Sequence, residues 1–169
     1  MPDQPGLNAR VFFALWPDAA ARDTLAQTAS TLQMMLGGRG MVAETLHVTL
    51  AFVGDLPRTQ LPAVFKCADA VQATAFDLAF DHLACWRHNR IAYAACQNLP
   101  AGLHRLVDTL RMQLWMARVP FDARPYQPHV TLLRQADCTQ AGVEASAWRV
   151  SWPVREFSLV ESTRQTEGA

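Results

Sequence analysis

The chain has no surplus of charge: fifteen basic residues balance fifteen acidic ones. No global field draws it to nucleic acid or to an anionic membrane, so any phosphate it binds must be gripped locally. Long hydrophobic runs are missing too. The stretch Val11 to Trp16 is too short to cross a bilayer, and the polar start Met1 to Arg10 lacks the charged-then-apolar order of a signal peptide. A cytoplasmic protein without a membrane partner is expected. The four cysteines, Cys67, Cys85, Cys96 and Cys138, stand far apart, with no CxxC pair and no His–Cys spacing suited to zinc. Reduced, mostly buried thiols are therefore expected. No G-x-S-x-G elbow is present to raise a serine nucleophile. The glycines Gly37, Gly38 and Gly40 follow a helical stretch instead of joining a strand to a helix, so they make no phosphate loop.

What the chain does have is one tetrapeptide written twice, His47-Val48-Thr49-Leu50 and His129-Val130-Thr131-Leu132. In a strand, residues i and i+2 share a face. His47 and Thr49 then point together, with Leu46, Val48, Leu50 and Phe52 on the reverse face needing cover. The second copy sets His129 and Thr131 against Val130 and Leu132. One such strand is an ordinary half-buried strand with a polar outer face; two identical copies suggest the floor of a cleft.

With 169 residues, half of them hydrophobic, the chain can build one compact domain with a substantial core. Arg10 to Trp16 reads as a strand, followed by an Ala-rich helix opened by Pro17 and Asp18 and running to Leu36. The strand Leu46 to Val53, a helical stretch from about Thr59 to Val71 and a strand Ala75 to Trp86 complete a first half. The order then recurs: strand Ile91 to Cys96, amphipathic helix Ala101 to Ala117 with Leu103, Leu106, Val107, Leu110, Leu114 and Trp115 on one side, motif strand His129 to Leu133, and a last element Trp148 to Val160. The spacing from first strand to motif is nearly equal in the halves, which implies an internal duplication with pseudo-repeats at about 10–86 and 90–162. No linker rich in Gly, Pro or Ser divides them. The expectation is a single bilobal α+β domain over 1–169, in which two antiparallel sheets line a central cleft and helices cover the outer faces.

Histidine titrates near ~6.5, so close to neutrality one imidazole can accept a proton while another gives one. An in-line displacement at phosphorus needs that division, each step contributing on the order of 10² to 10⁴ in rate. Thr49 and Thr131 can donate to the non-bridging phosphate oxygens, where charge builds up. The scheme needs no metal and no cofactor. Two histidines with no carboxylate at a suitable spacing also make a poor metal site.

The segments Arg10-Val-Phe-Phe-Ala-Leu, Leu46-His-Val-Thr-Leu-Ala-Phe-Val-Gly54, Pro128-His-Val-Thr-Leu-Leu-Arg134 and Glu156-Phe-Ser-Leu-Val-Glu-Ser162 carry a resemblance over nearly the whole chain. It resembles the 2H phosphoesterase superfamily, specifically the bacterial RNA 2′,3′-cyclic phosphodiesterases also called 2′-5′ RNA ligases. The resemblance implies a bilobal fold and hydrolysis of a 2′,3′-cyclic phosphate at an RNA end to a 2′-phosphate. It makes His47 the proton donor to the departing 3′ oxygen and His129 the proton acceptor that activates water. The near symmetry of the two halves leaves that order open in the residues themselves. Run in reverse, the site would join a 2′-phosphate end to a 5′-hydroxyl end or transesterify a cyclic phosphate, without ATP in either case, although water at about 55 M favours hydrolysis by mass action.

Three further residues are candidates for binding substrate. Arg134 can hold a phosphate bidentately; strict alternation puts it opposite His129, and only a strand end or a bulge would turn it inward. Phe13 and Tyr126 are candidates for stacking on a nucleobase, with core packing the competing role for Phe13. Arg87, His88 and Arg90 form a short basic cluster that reads as a solvated turn or a contact to RNA phosphates; His82 and His104 read as structural or exposed. The partners expected are RNA ends or nucleotide cyclic phosphates, bound by a monomer. A phosphodiesterase acting on a small cyclic phosphate or on a 2′-5′-linked oligonucleotide would use the same four residues. A non-catalytic module holding RNA ends is the reading from another class.

Overall fold

The computed structural model describes residues 6–139 and 147–163; the first five residues of the polar start lie outside them. In chain order the elements are β1 (Asn8–Leu15), α1 (Ala19–Leu36), β2 (Arg39–Gly40), β3 (Val48–Pro57), α2 (Leu61–Asp69), β4 (Phe76–Phe80), β5 (His82–Trp86), β6 (Ile91–Ala95), α3 (Ala101–Met116), β7 (His129–Arg134), β8 (Val150–Val154) and β9 (Ser158–Glu161). The architecture is α+β and every strand pairing is antiparallel. Each motif strand has its own sheet, β3-β1-β9 for the first copy and β2-β7-β6-β5 for the second, while β4 and β8 pair separately.

Two stretches expected as single strands are each broken into two. Residues 75–86 divide at Asp81, whose backbone N–H donates to Ala95 O at 3.1 Å and whose carboxylate accepts from Gln97 N–H at 3.1 Å. Before that corner β4 pairs with β8; after it β5 pairs with β6. Residues 148–160 divide likewise, β8 pairing with β4 and β9 with β1. The final strand of each half thereby completes the sheet that holds the other half's motif. The helices cross in the same sense, α1 contacting β7 and β8 while α3 contacts β3 and β4.

Local sequence explains the helices. Asp18 caps α1 by accepting from Ala21 N–H at 2.8 Å, and Gly37 (φ 63°) ends it in the left-handed region. The buried side of α1 is Ala21, Leu25, Ala29, Leu32 and Leu36; that of α3 is Leu103, Leu106, Val107, Leu110 and Leu114. Trp115, expected on the apolar side of α3, is 73% exposed instead. It sits one residue past Leu114, a turn of about 100° that carries it off the buried stripe.

Cysteine usage also departs from expectation: Cys85 and Cys138 form a disulfide with a Cα–Cα distance of 5.5 Å. The chain leaving β7 folds back over the β5–β6 turn, Ala136 N–H donating to Arg90 O at 3.0 Å, which carries Cys138 within bridging distance of β5. Nothing in a sequence separation of 53 announces that approach. Cys67 and Cys96 are free, the first buried and the second half-buried.

Candidate active site

Both motif histidines are anchored in the same way. His47 lies just before β3, and its Nδ1 is 2.6 Å from Thr45 O; His129 opens β7, and its Nδ1 is 2.8 Å from Gln127 O. A carbonyl oxygen can only accept, so each Nδ1 carries the proton and donates. That fixes the tautomer and leaves Nε2 as the nitrogen that takes up or gives away a proton. Aromatic rings brace both imidazoles: Phe12 and Trp16 pack on His47 at centroid distances of 5.0 and 5.6 Å, and Trp86 and Tyr93 meet His129 edge-on at 4.7 and 5.9 Å.

Burial pushes both histidines below their ordinary pKa of 6.5. The Thr45 and Gln127 carbonyls oppose the shift, and the positive charge of Arg134 adds to it at both rings; His47 adds to it at His129.

Strand irregularity, repeated in both copies, decides which other residues join them. In β7, Tyr93 faces Thr131 and Ala92 faces Leu133, so Leu132 is an extra residue. In β3, Ala14 faces Thr49 and Phe13 faces Ala51, so Leu50 is the extra one. Each insertion is a β-bulge that lets two successive residues, Leu132 and Leu133 or Leu50 and Ala51, face the core. The residue beyond is turned to the histidine side, Arg134 in one strand and Phe52 in the other. Arg134 therefore lines the cavity through the bulge that strict alternation does not foresee. Phe52, expected on the reverse face, lines it for the same reason.

Two adjoining cavities result. One of about 150 Å³ is bounded by His47, Thr49, His129, Thr131, Arg134, Met41 and Thr45. The other, of about 560 Å³, shares Thr49, His129, Thr131 and Arg134 and extends past Phe52 and Trp86 to Arg111 and Tyr126. The shared edge, with two threonine hydroxyls and a guanidinium, is the place where a phosphoryl group can meet donors and both imidazoles. Among the described residues, no three of His, Cys, Asp and Glu gather where they could hold a metal ion.

The short strand β2 supports this edge. It pairs with β7 at Arg39↔Arg134 and Gly40↔Leu133, and Met41 N–H donates to the carbonyl of the bulged Leu132 at 2.9 Å. Gly38, at φ 79°, comes so close that a Cβ would lie 2.5 Å from Arg134 O.

The other sequence candidates divide. Tyr126 lines the large cavity, but its hydroxyl donates to Thr49 O at 3.0 Å and the Arg111 guanidinium lies 5.7 Å from its ring centroid. It thus ties the segment after α3 to the motif strand, and burial raises its phenol pKa. Phe13 is fully buried against Phe157 at 6.0 Å, in the core and away from the cavity. Its neighbour Phe12 takes the histidine side of β1. Arg90 spends its guanidinium on the Gln135 and Ala136 carbonyls, whereas His88 lines the large cavity. The sequence alone did not point to Phe12, Trp16, Trp86, Tyr93 or Phe52; a register pairing each motif strand with its neighbour would have found Phe12 on β1 and Tyr93 on β6.

Two tautomer-fixed imidazoles, two hydroxyls and one guanidinium about a small pocket are chemically suited to holding a phosphoester and exchanging protons with it. The family model of the LigT-like phosphoesterases matches the chain twice, over residues 15–93 and 95–169. The chain belongs to that family, within the 2H superfamily. It is 30% identical over 154 residues to the RNA 2′,3′-cyclic phosphodiesterase of Escherichia coli, covering 91% of this chain and 87% of that protein. It is 24% identical to the enzyme of the same name from Thermus thermophilus, covering 94% and 84%. The crystal structure of E. coli LigT complexed with 3′-AMP superposes with a TM-score of 0.83 at 29% identity, over 92% of this chain and 89% of that one.

Proposed function

We propose that this enzyme hydrolyses the 2′,3′-cyclic phosphate at RNA ends to a 2′-phosphate, without a metal ion, by paired-histidine catalysis. The observation that carries the reading is the meeting of His47, Thr49, His129 and Thr131 on one pocket of about 150 Å³. The relatives named RNA 2′,3′-cyclic phosphodiesterase support the substrate class.

In this mechanism Nε2 of neutral His129 takes a proton from water as its oxygen attacks phosphorus. The P–O3′ bond breaks on the opposite side, and protonated His47 delivers its Nε2 proton to the departing O3′. Thr49, Thr131 and Arg134 hold the non-bridging oxygens as charge accumulates there. Each turnover leaves His47 neutral and His129 protonated, and exchange with solvent resets the pair. Replacing water by the 5′-hydroxyl of a second RNA breaks the same P–O3′ bond in the same direction and leaves a 2′-5′ linkage, which is the ligating outcome. The doubled family match and the crossed strands support two pseudo-repeats folded as one domain.

The test is incubation of the purified protein, in excess EDTA, with an RNA oligonucleotide ending in a 2′,3′-cyclic phosphate. His47→Ala and His129→Ala are assayed alongside, and the terminal phosphate is identified. The expected result is a 2′-phosphate made by the unsubstituted enzyme and lost in both variants. Turnover that EDTA abolishes, or that survives either substitution, would refute the mechanism.

A further inference from the structure

Charge balances over the whole chain but not on the wall of the large cavity. Three guanidiniums stand there, those of Arg111, Arg124 and Arg134, against the one carboxylate of Asp122. Of the three, only Arg134 also borders the small cavity where the four motif residues meet, so Arg111 and Arg124 mark a second place for an anion. Arg124 holds Asp122 with Nε 3.0 Å from both carboxylate oxygens, and that contact keeps the carboxyl pKa down at about 2. One of the two cations is thereby balanced. Among the described residues Arg111 makes no ion pair. Its Nη1 donates to Arg124 O at 3.0 Å, its guanidinium lies 5.7 Å from the Tyr126 ring centroid, and its buried Nε–H has no acceptor. A half-buried cation without a carboxylate costs desolvation that a bound anion offsets.

The backbone fixes this second position relative to the first. The segment between α3 and β7 is pinned to β3 at two points: Asp122 N–H donates to Phe52 O at 2.8 Å, and the Tyr126 hydroxyl to Thr49 O at 3.0 Å. Thr49 and Phe52 stand three residues apart, at most about 10 Å along a strand rising ~3.3 Å per residue. Arg111 and Arg124 are therefore held within the reach of one nucleotide from the threonine hydroxyls. The cavity that joins the two positions measures about 560 Å³, in the range of roughly 300–1,000 Å³ usual for small-molecule sites. A guanidinium presents its N–H donors in a planar fork that matches phosphate oxygens, and Arg111 keeps most of that fork for a ligand.

We propose that Arg111, assisted by Arg124, binds the phosphodiester that precedes the terminal nucleotide, and so makes the enzyme favour an oligoribonucleotide end over a nucleoside 2′,3′-cyclic phosphate. A phosphate contact carries no base information, so this preference is indifferent to sequence. The inference rests on the cyclic-phosphate reading of the site, and its test is built on equilibrium binding so that the two can fail separately.

The full-length protein, Arg111→Gln and Arg124→Gln are titrated calorimetrically with adenosine 2′-monophosphate and with adenosine 2′,5′-bisphosphate, whose 5′-phosphate stands in for the preceding phosphodiester. KM and kcat are measured for adenosine 2′,3′-cyclic phosphate with and without a 5′-phosphate. The unsubstituted protein is expected to bind the bisphosphate at least about 10-fold more tightly than the monophosphate. Arg111→Gln should weaken the bisphosphate about 10- to 30-fold while moving the monophosphate less than about twofold. Arg124 is exposed, so Arg124→Gln should weaken the bisphosphate only about threefold; this side chain can be removed without touching the core. In Arg111→Gln, KM rises for the 5′-phosphorylated substrate alone, with kcat little changed. Equal weakening of both nucleotides, or an undiminished preference for the bisphosphate in either variant, would overturn the proposal. So would an unsubstituted protein that binds the bisphosphate no better than the monophosphate. A bisphosphate preference that depends on Arg111, without turnover of either cyclic phosphate, would sink the hydrolytic reading and uphold the second phosphate position.

Discussion

Arg134→Ala probes the bulge, the charge and the two imidazoles at once. In the intact protein the guanidinium stands at the edge shared by both cavities and lowers the pKa of His47 and of His129. A hydrogen bond to a charged group contributes about 1.5–3 kcal/mol, and the exposure of Arg134 puts its loss at the lower end, about 1.5–2 kcal/mol. At 1.36 kcal/mol per decade this is about a 10- to 30-fold fall in kcat/KM. The sign of the pH effect follows from charge: a nearby cation disfavours a protonated imidazole, so removing it raises both histidine pKa values. Both limbs of the bell-shaped kcat/KM profile should move to higher pH. Arg134→Lys keeps a positive charge but loses the planar fork, so the limbs stay while the rate falls. The assay is initial-rate hydrolysis of a nucleoside 2′,3′-cyclic phosphate between pH 4.5 and 8.5. A loss below about threefold, or limbs displaced to lower pH, would refute the reasoning.

Stability should fall on acidification. Both histidines titrate below 6.5 when folded, so as pH drops through ~6.5 the unfolded chain binds their protons first, and the loss continues down to the folded values. The urea midpoint at pH 5.5 is expected below that at pH 7.5, with a smaller drop in His47→Asn/His129→Asn; an equal drop would contradict the assignment. Gly37 and Gly38 both adopt positive φ, but only at Gly38 would a Cβ strike backbone. Gly38→Ala should therefore lower the urea midpoint clearly more than Gly37→Ala, whose cost is about 1 kcal/mol; equal costs would argue against close packing of β2 on β7. Thiol titration of the unfolded, unreduced chain should find Cys67 and Cys96 alone, and reducing the Cys85–Cys138 bridge should cost up to about 4 kcal/mol by loop entropy. Four reactive thiols before reduction would exclude the bridge.

Periodicity carried much of this fold. The two HVTL copies, the capped α1 and, Trp115 excepted, the buried stripe of α3 lie where the sequence alone puts them, because each rests on a local pattern. The bulges at Leu50 and Leu132 do not. An inserted residue is invisible when it and the residue after it are both apolar, as in Leu50-Ala51 and Leu132-Leu133, and each insertion reversed the side on which the next informative residue lies, Phe52 and Arg134. Phe13 and Phe12 could not be told apart because β1 is an unbroken apolar run buried on both faces beyond Val11. The corner at Asp81 and the approach of Cys138 to Cys85 depend on pairings between distant strands. That is also why the exchange of final strands between halves could not be read from order and spacing.

The central claim is that His47 and His129 form an acid–base pair with different duties, and leaving-group rescue tests it most directly. His47→Ala and His129→Ala are each compared on an oxygen 2′,3′-cyclic phosphate and on its analogue with sulfur at the 3′ position, whose thiolate departs without a proton. The account predicts that the sulfur substrate restores most of the rate lost in His47→Ala and little of that lost in His129→Ala. Rescue of neither variant, or of both alike, would contradict it.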